Sequence, residues 1–296
     1  MDEIGYLNLL RHVINDGESR KTRNGNTLSV FGPRLEFNLD NNQFPLITTK
    51  KMFVKGIFTE LLWFLNGRTD NKLLQNDGVH IWDGNSSREY LDKRGLTDNE
   101  EGDCGPIYGF QWRRFNCSYL GKNVGISQIP IKKREQDQLI EVIRLIRDDP
   151  MSRRIIISGW NPCQMDLMCL EPCHVLYQFY VRIKDGQKYL SCHLYQRSAD
   201  LFLGVPFNIA SASLLTYIVS SITNCKPDRL IISFGDAHIY ENHIEQVKLQ
   251  LERIPFQFPT IIIPTMSIDE LPNYGWKDFT IVDYQCHSAI KADMMA

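Results

Sequence analysis

No stretch of the 296-residue sequence approaches the ~18 consecutive apolar residues that a membrane-spanning helix requires, so no membrane association is expected. A strong excess of either charge is also missing: 33 Lys and Arg stand against 35 Asp and Glu, a formal net charge of -2. A dedicated nucleic-acid binder carries a basic excess, so RNA binding is not indicated, although a few arginines could still converge on one small anion. Gly/Ser and Pro runs, internal repeats and low-complexity tracts are absent, which leaves no flexible linker and points to one domain over residues 1–296. The opening Met1-Asp2-Glu3-Ile4-Gly5 has neither a basic n-region nor an apolar h-region, so no signal peptide is expected. Paired CxxC spacings are lacking too. The eight cysteines (Cys104, Cys117, Cys163, Cys169, Cys173, Cys192, Cys225 and Cys286) are too sparse for a disulfide scaffold and are expected as free thiols in a reducing, cytoplasmic setting. Cys163, Cys169, Cys173 and His174 match no zinc spacing, so no metal is expected.

What is present is a mixed pattern of periods. Ile4, Leu7, Leu10 and Ile14 predict an N-terminal amphipathic helix; Leu139, Val142, Ile143 and Ile146 predict another, ended before Asp149-Pro150. Residues 208–221 are apolar nearly all round, the mark of a helix buried on most sides. Strand-like runs cover 155–158, 175–183, 190–195, 230–234 and 260–263, and Lys184-Asp185-Gly186-Gln187 is a hairpin signal between the second and third. The polar stretches 92–103 and 116–135 are expected as surface excursions. Adjacent hairpin strands mixed with helices predict an α+β domain around one sheet.

Four constellations could carry chemistry. Glu60 shares a helical stripe with Ile57, Leu61 and Phe64, in a segment that Gly67 stops. Desolvation on such a stripe raises a carboxylate pKa and suits it to proton transfer, unless it merely pairs with a buried arginine. Cys173, directly after Pro172 at the mouth of a strand, could present a nucleophilic thiol, or be one more small buried residue. Arg153-Arg154, Arg197-Ser198, and Arg23 in the polar loop 20–26 offer the guanidinium forks and hydroxyl that a phosphate dianion requires; each alone is an ordinary surface arginine. Asn208 opens the apolar helix, where it could be an N-cap or could match the O4 and N3–H edge of a uracil. Together these pieces point to an enzyme acting on a small phosphorylated substrate.

The motifs then connect. Phe44-Pro-Leu-Ile-Thr-Thr-Lys50, Glu60-Leu-Leu-Trp-Phe-Leu65, Ile81-Trp-Asp83, Gly105-Pro-Ile-Tyr-Gly-Phe-Gln-Trp112, Ser152-Arg-Arg-Ile155, Pro172-Cys-His174, Gln196-Arg-Ser-Ala-Asp200, Leu203-Gly-Val-Pro-Phe-Asn208 and Gly235-Asp-Ala-His-Ile-Tyr240 occur in this order. From about Tyr6 to Lys291 the chain closely resembles the thymidylate synthase family. That resemblance implies a large mixed sheet flanked by helices, with the sheets of two subunits packed face to face in a homodimer. It implies reductive methylation of dUMP to dTMP, with 5,10-methylenetetrahydrofolate as carbon and hydride donor and dihydrofolate as product, through a covalent adduct of Cys173 on C6. The catalytic residues would be Cys173, Glu60, Tyr108, Asn161 and His174. Arg23, Arg197 and Ser198 would hold the phosphate, with Arg153 and Arg154 donated by the other subunit. Asn208 would read the base, and His238 and Tyr240 the deoxyribose hydroxyl. Ile81, Trp82 and Asp200 would contact the pterin, Lys50 the glutamyl tail, and Ala296 would belong to the closing C-terminus.

Three features depart from the family's pattern. The Arg23 loop is one residue short, Glu171 replaces an apolar residue or proline before Pro172-Cys173, and the chain ends in Ala296 in place of Val or Ile. An added carboxylate beside Cys173 opposes thiolate formation unless it points outward. Two rival readings are a deoxycytidylate hydroxymethylase, which typically has aspartate where Asn208 stands, and a catalytically silent nucleotide- or RNA-binding protein on the same fold.

Overall fold

A computed structural model of the chain describes residues 3–294. Its helices are α1 (Ile4–Asp16), α2 (Val54–Leu65), α3 (Asn71–Asn76), α4 (Asp83–Ser86), α5 (Arg88–Lys93), α6 (Tyr108–Arg114), α7 (Gln138–Asp148), α8 (Gly204–Thr223) and α9 (Ile244–Leu251). Its strands are β1 (Glu18–Thr22), β2 (Gly25–Phe31), β3 (Arg34–Asn38), β4 (Ile156–Ser158), β5 (His174–Lys184), β6 (Gln187–Asp200), β7 (Lys226–Tyr240), β8 (Thr260–Ile262) and β9 (Thr280–Val282). They belong to two compact units: residues 3–54, 179–265 and 277–294 make the first, and residues 55–178 and 266–276 the second.

In the first unit β7 is the organising strand. β3 pairs antiparallel with its first half (Arg34↔Ser233) and β2 with its second (Phe31↔Asp236), while β6 runs parallel on its other side. Parallel neighbours need a crossover, and α8 supplies it. Nearly every residue of α8 is buried, and three of its hydroxyls are satisfied within the helix: Ser213, Thr216 and Thr223 donate to the carbonyls of Ile209, Ala212 and Val219 at 2.7–2.8 Å. By length and composition alone α8 could cross a membrane, contrary to the expectation of no such run, but 83% of its apolar window is buried inside the protein. The predicted hairpin is present, with Asp185 and Gly186 both at positive φ (51° and 76°), as a type I′ turn demands.

Three details differ from expectation. In α1 the buried stripe is Tyr6, Leu7, Leu9, Leu10 and Val13, while Ile4 is 40% exposed. The Tyr6 hydroxyl donates to the Leu201 carbonyl at 2.8 Å and so rotates that face inward. The polar loop 20–26 is a hairpin, β1 pairing with β2 from Glu18↔Ser29 to Thr22↔Gly25 around Arg23-Asn24. Every residue of β1 is exposed, so no alternation marked it as a strand. Finally, α8 begins at Gly204, so Asn208 is not its N-cap. The Asp200 carboxylate starts the turn instead, accepting the N–H groups of Phe202 (2.9 Å) and Leu203 (3.2 Å).

In the second unit α2 ends as its glycine predicts. Gly67 sits at φ 64°, Gly67 N–H donates to Phe64 and Arg68 N–H to Trp63, a Schellman closure. α7 is capped by Asp137, which accepts the Ile140 N–H at 3.1 Å and also takes the guanidinium of Arg113 at 2.9 Å. The polar stretch 116–135 is pinned at both ends by a Phe115–Gln136 bridge, and it buries Cys117 and Ile129 against Phe110. β4 pairs antiparallel with the start of β5, Ile156↔Gln178 to Ser158↔Leu176.

The close packing of α6 on α2 depends on Gly109. A Cβ there would lie 2.5 Å from the Phe64 carbonyl oxygen and 2.7 Å from its Cα, both backbone atoms that cannot swing aside. Gly109→Ala is therefore expected to destabilise the chain by about 1–3 kcal/mol, read as a lower urea midpoint. An unchanged midpoint would show that α6 does not depend on this contact.

Candidate active site

Each unit gathers part of the expected set. In the second unit, α2 carries Glu60 into a setting built from Trp63, Phe64, Trp82 and Tyr108, whose neighbouring ring centroids lie 4.9–6.3 Å apart. The Trp82 Nε1–H donates to Glu60 Oε1 at 2.8 Å, so the carboxylate has a neutral donor. Burial pushes the Glu60 carboxyl up to about 7, only partly offset by that hydrogen bond. The alternative of a carboxylate paired with a buried arginine does not describe it.

Cys173 is half-buried at the mouth of β5, and its backbone N–H donates to the Tyr108 hydroxyl at 2.8 Å. Burial first, and then the neighbouring Cys173, hold the Tyr108 phenol well above its ordinary pKa. Tyr108 therefore stays protonated and can donate through its own O–H while it accepts from Cys173. His174, the next residue, is buried, with Nδ1 3.1 Å from the Tyr177 hydroxyl and its ring 5.5 Å from that of Tyr108. Asn161 is held in an amide cluster: its Nδ2 donates to Gln111 Oε1 and Gln164 Oε1, both at 3.1 Å, and its Oδ1 accepts the Cys163 N–H. Gln111 and Gln164 were not anticipated, because an isolated glutamine carries no spacing signal. The added carboxylate of Glu171 is answered by Arg94, whose guanidinium lies 2.7 Å away. Arg153 and Arg154 are exposed, and the Arg154 guanidinium lies 3.9 Å from Asp149 Oδ2. Ile81 is half-buried just before Trp82.

In the first unit the parallel register of β6 and β7 sets Ser198 beside Asp236 and Asp200 beside His238. His238 and Asp236 share a 2.9 Å hydrogen bond, Ser29 donates to Asp236 Oδ1, and Arg20 pairs with Oδ2 at 2.7 Å. The hydrogen bond from His238 leads in holding the Asp236 carboxyl below the usual range, against its partial burial. Tyr240 follows on the same face, its ring 5.2 Å from that of His238. Gly235 lets the strands approach at Arg197, since a Cβ on it would meet the Arg197 carbonyl at 2.6 Å. Asn208 Oδ1 accepts from Gln196 Nε2 at 3.0 Å, which fixes the orientation of its amide. Arg23, at the tip of the β1–β2 hairpin, is exposed and donates to Asn24 Oδ1 at 3.0 Å. Lys50 is buried, donates to the Phe202 carbonyl and lies over the Phe202 ring at 3.7 Å from its centroid. Burial lowers its ammonium to about 7, against the opposing pull of Asp200 and Glu3. Ala296 lies outside the described residues.

The class that fold and side chains define is an α+β enzyme scaffold with a strand-mouth thiol and a desolvated carboxyl raised to about 7. Comparison with known proteins makes this specific. A family model described as thymidylate synthase matches residues 4–296. The chain is 46% identical over 300 residues to the thymidylate synthase of Saccharomyces cerevisiae, covering 99% of this chain and 97% of that one. It is 47% identical over 294 residues to the thymidylate synthase of human herpesvirus 8, covering 99% and 84%. It is also 45% identical over 294 residues to the bifunctional dihydrofolate reductase-thymidylate synthase of Leishmania major, covering 99% of this chain and 55% of that relative. The chain thus spans about half the length of the bifunctional relatives it matches. It belongs to the thymidylate synthase family.

The raised Glu60 carboxyl has a stability consequence. The folded chain holds this proton more tightly than the unfolded chain, whose carboxyl titrates near 4.5. The stabilisation is fully present below that value and is lost as the pH rises through about 7. Relative to Glu60→Gln, the wild-type chain should therefore lose about 2–3 kcal/mol between pH 5 and pH 8.5. Urea midpoints of both proteins at the two pH values check this; parallel shifts would mean that Glu60 is not desolvated.

Proposed function

We propose that the chain catalyses reductive methylation of dUMP to dTMP, working as a homodimer of single-domain subunits in the cytoplasm. The observation that carries this reading is the pairing, within one unit, of a strand-mouth thiol on a fixed backbone with a carboxyl that titrates near neutrality. The Cys173 thiolate adds to C6 of the uracil, which makes C5 the nucleophile. Tyr108, protonated and anchored to the Cys173 N–H, is placed for hydrogen bonding during removal of the C5 proton. Glu60, with Asn161 and His174, serves proton transfer at O4 through ordered water. Bound 5,10-methylenetetrahydrofolate supplies the one-carbon unit and the hydride and leaves as dihydrofolate.

The remaining roles follow the resemblance. Arg23, Arg197 and Ser198 bind the phosphate, joined by Arg153 and Arg154 of the second subunit; the exposure of that pair supports the assignment. His238 and Tyr240 bind the deoxyribose hydroxyl. Ile81, Trp82 and Asp200 receive the pterin. Asp200 fits this role, since its Oδ1 is fixed by two backbone N–H groups and its Oδ2 has no hydrogen-bond partner among the described residues. Lys50 reaches a glutamyl tail only by leaving the Phe202 carbonyl. Asn208 favours uracil over cytosine: with its oxygen turned to Gln196, its Nδ2 is left to donate to the exocyclic O4 of uracil, where cytosine carries an amino group.

Offered methylenetetrahydrofolate and either dUMP or dCMP, the protein should form dihydrofolate only with dUMP, followed by absorbance. Hydroxymethylated dCMP without dihydrofolate would assign it to the hydroxymethylases. Cys173→Ser should lose at least about 10³-fold in turnover, as loss of a covalent nucleophile does, while still binding dUMP. Undiminished turnover would remove the thiol from the mechanism. Mixed Arg154→Ala and Cys173→Ser chains should recover activity through hybrid dimers. No recovery after proven subunit exchange would refute arginine donation.

A further inference from the structure

Two cysteines with no role in the proposed reaction lie against each other in the second unit. The Cys169 backbone N–H donates to the Cys104 carbonyl at 3.1 Å, and the Cys104 thiol, 4.0 Å from the Gly102 carbonyl, has the Cys169 thiol as an electrostatic neighbour. Both residues are fully buried, and both thiols are free. A backbone hydrogen bond of this length keeps the two Cα atoms within roughly 7 Å, inside the reach of a disulfide. The surrounding geometry holds the pair in place. Gly105, at φ 72°, brings its turn directly onto the Leu167 carbonyl. Arg94 grips the other side, donating to the Met168 carbonyl at 3.3 Å and pairing with Glu171 at 2.7 Å. Four residues beyond Cys104 comes Tyr108, and four beyond Cys169 comes Cys173.

We propose that Cys104 and Cys169 are an oxidisable pair that closes to a disulfide with a small diazene or disulfide oxidant, fastening the segment that leads to Cys173 onto the turn that leads to Tyr108. One S–S bond forms and two S–H bonds break. The two electrons and two protons pass to the oxidant, reducing a diazene to its hydrazine or a disulfide to two thiols. Burial pushes the Cys104 thiol well above its ordinary pKa, so thiolate is scarce in the closed structure and oxidant enters only through local openings. The reaction is therefore slow, and it accelerates in urea below the unfolding transition. Cys163 is exposed and Cys173 half-buried, so both meet oxidant sooner than the fully buried Cys104 and Cys169.

The test treats the full chain with diamide, and in parallel with oxidised glutathione, then unfolds it in N-ethylmaleimide for intact-mass and non-reducing peptide analysis. The expected result is a peptide pair crosslinked through Cys104 and Cys169, together with a melting temperature raised by roughly 5 °C or more that falls back on reduction. Cys104→Ser should abolish both effects. Should that variant fail to fold, Cys169→Ala, which places a small side chain in the same cavity, gives the same check. Maleimide on both cysteines after oxidation, or a crosslink from either one to another cysteine, would overturn the pairing. A crosslink without a rise in melting temperature would overturn the fastening.

Discussion

The second unit is arranged around one hydrogen bond, from the Cys173 backbone N–H to the Tyr108 hydroxyl at 2.8 Å. Tyr108 begins α6, and the next residue, Gly109, lets that helix rest on the backbone of α2 at Phe64. Phe64 lies one turn beyond Glu60, so the bond, the missing Cβ and the helical repeat together fix thiol, phenol and carboxylate relative to one another. A backbone N–H held by the hydroxyl of a rigid phenol ring, together with backbone packing, imposes this spacing. A rotamer change at Cys173 can move the sulfur, but its Cα stays tied.

The electrostatics of the chain turn on how many donors each carboxylate receives. Glu3 is fully buried and takes the backbone N–H and hydroxyl of both Thr48 and Thr49, which fixes the segment that ends at Lys50. Glu171 has a guanidinium, and Asp236 has an imidazole, a hydroxyl and an arginine. Glu60 stands apart, with one indole N–H and an aromatic surround. Desolvation without a compensating cation moves its titration to the range where a carboxyl can both give and take a proton. The same residue type is thus held as a charged clamp or left to titrate near neutrality according to its neighbours alone.

The sequence disclosed the features that repeat with a period or end on a special backbone angle. The stripe holding Glu60, the Gly67 stop, α7 with its Asp149-Pro150 end and the Asp185-Gly186 turn all followed from local rules. Strand β1 did not, because an edge strand with no buried face shows no alternation. Asn208 was placed as a helix start because the preceding Leu203-Gly204-Val205 gives no capping signal; the turn is initiated by Asp200, outside the helix. The partners of the candidate residues were the least legible. Gln111, Gln196 and Arg94 lie 12 to 77 residues from the groups they hold, and only tertiary structure brings such pairs together.

In the first unit, strand register performs the positioning that the hydrogen bond performs in the second. Ser198 and Asp200 on β6 stand beside Asp236 and His238 on β7, and Ser29 on β2 stands beside His238, so these side chains share one face. A slip of one residue would send the whole set to the opposite face, so the register must be held firmly. Two features hold it. Gly235 admits the Arg197 backbone at a distance no other residue would tolerate, and Asp236 draws His238, Ser29 and Arg20 into a single polar knot across three strands. Because the knot joins β1, β2 and β7, displacing any one of these strands leaves a partly buried carboxylate short of donors. That cost makes a polar cluster, more than the apolar core beneath it, the element that selects one pairing of the sheet from its near neighbours.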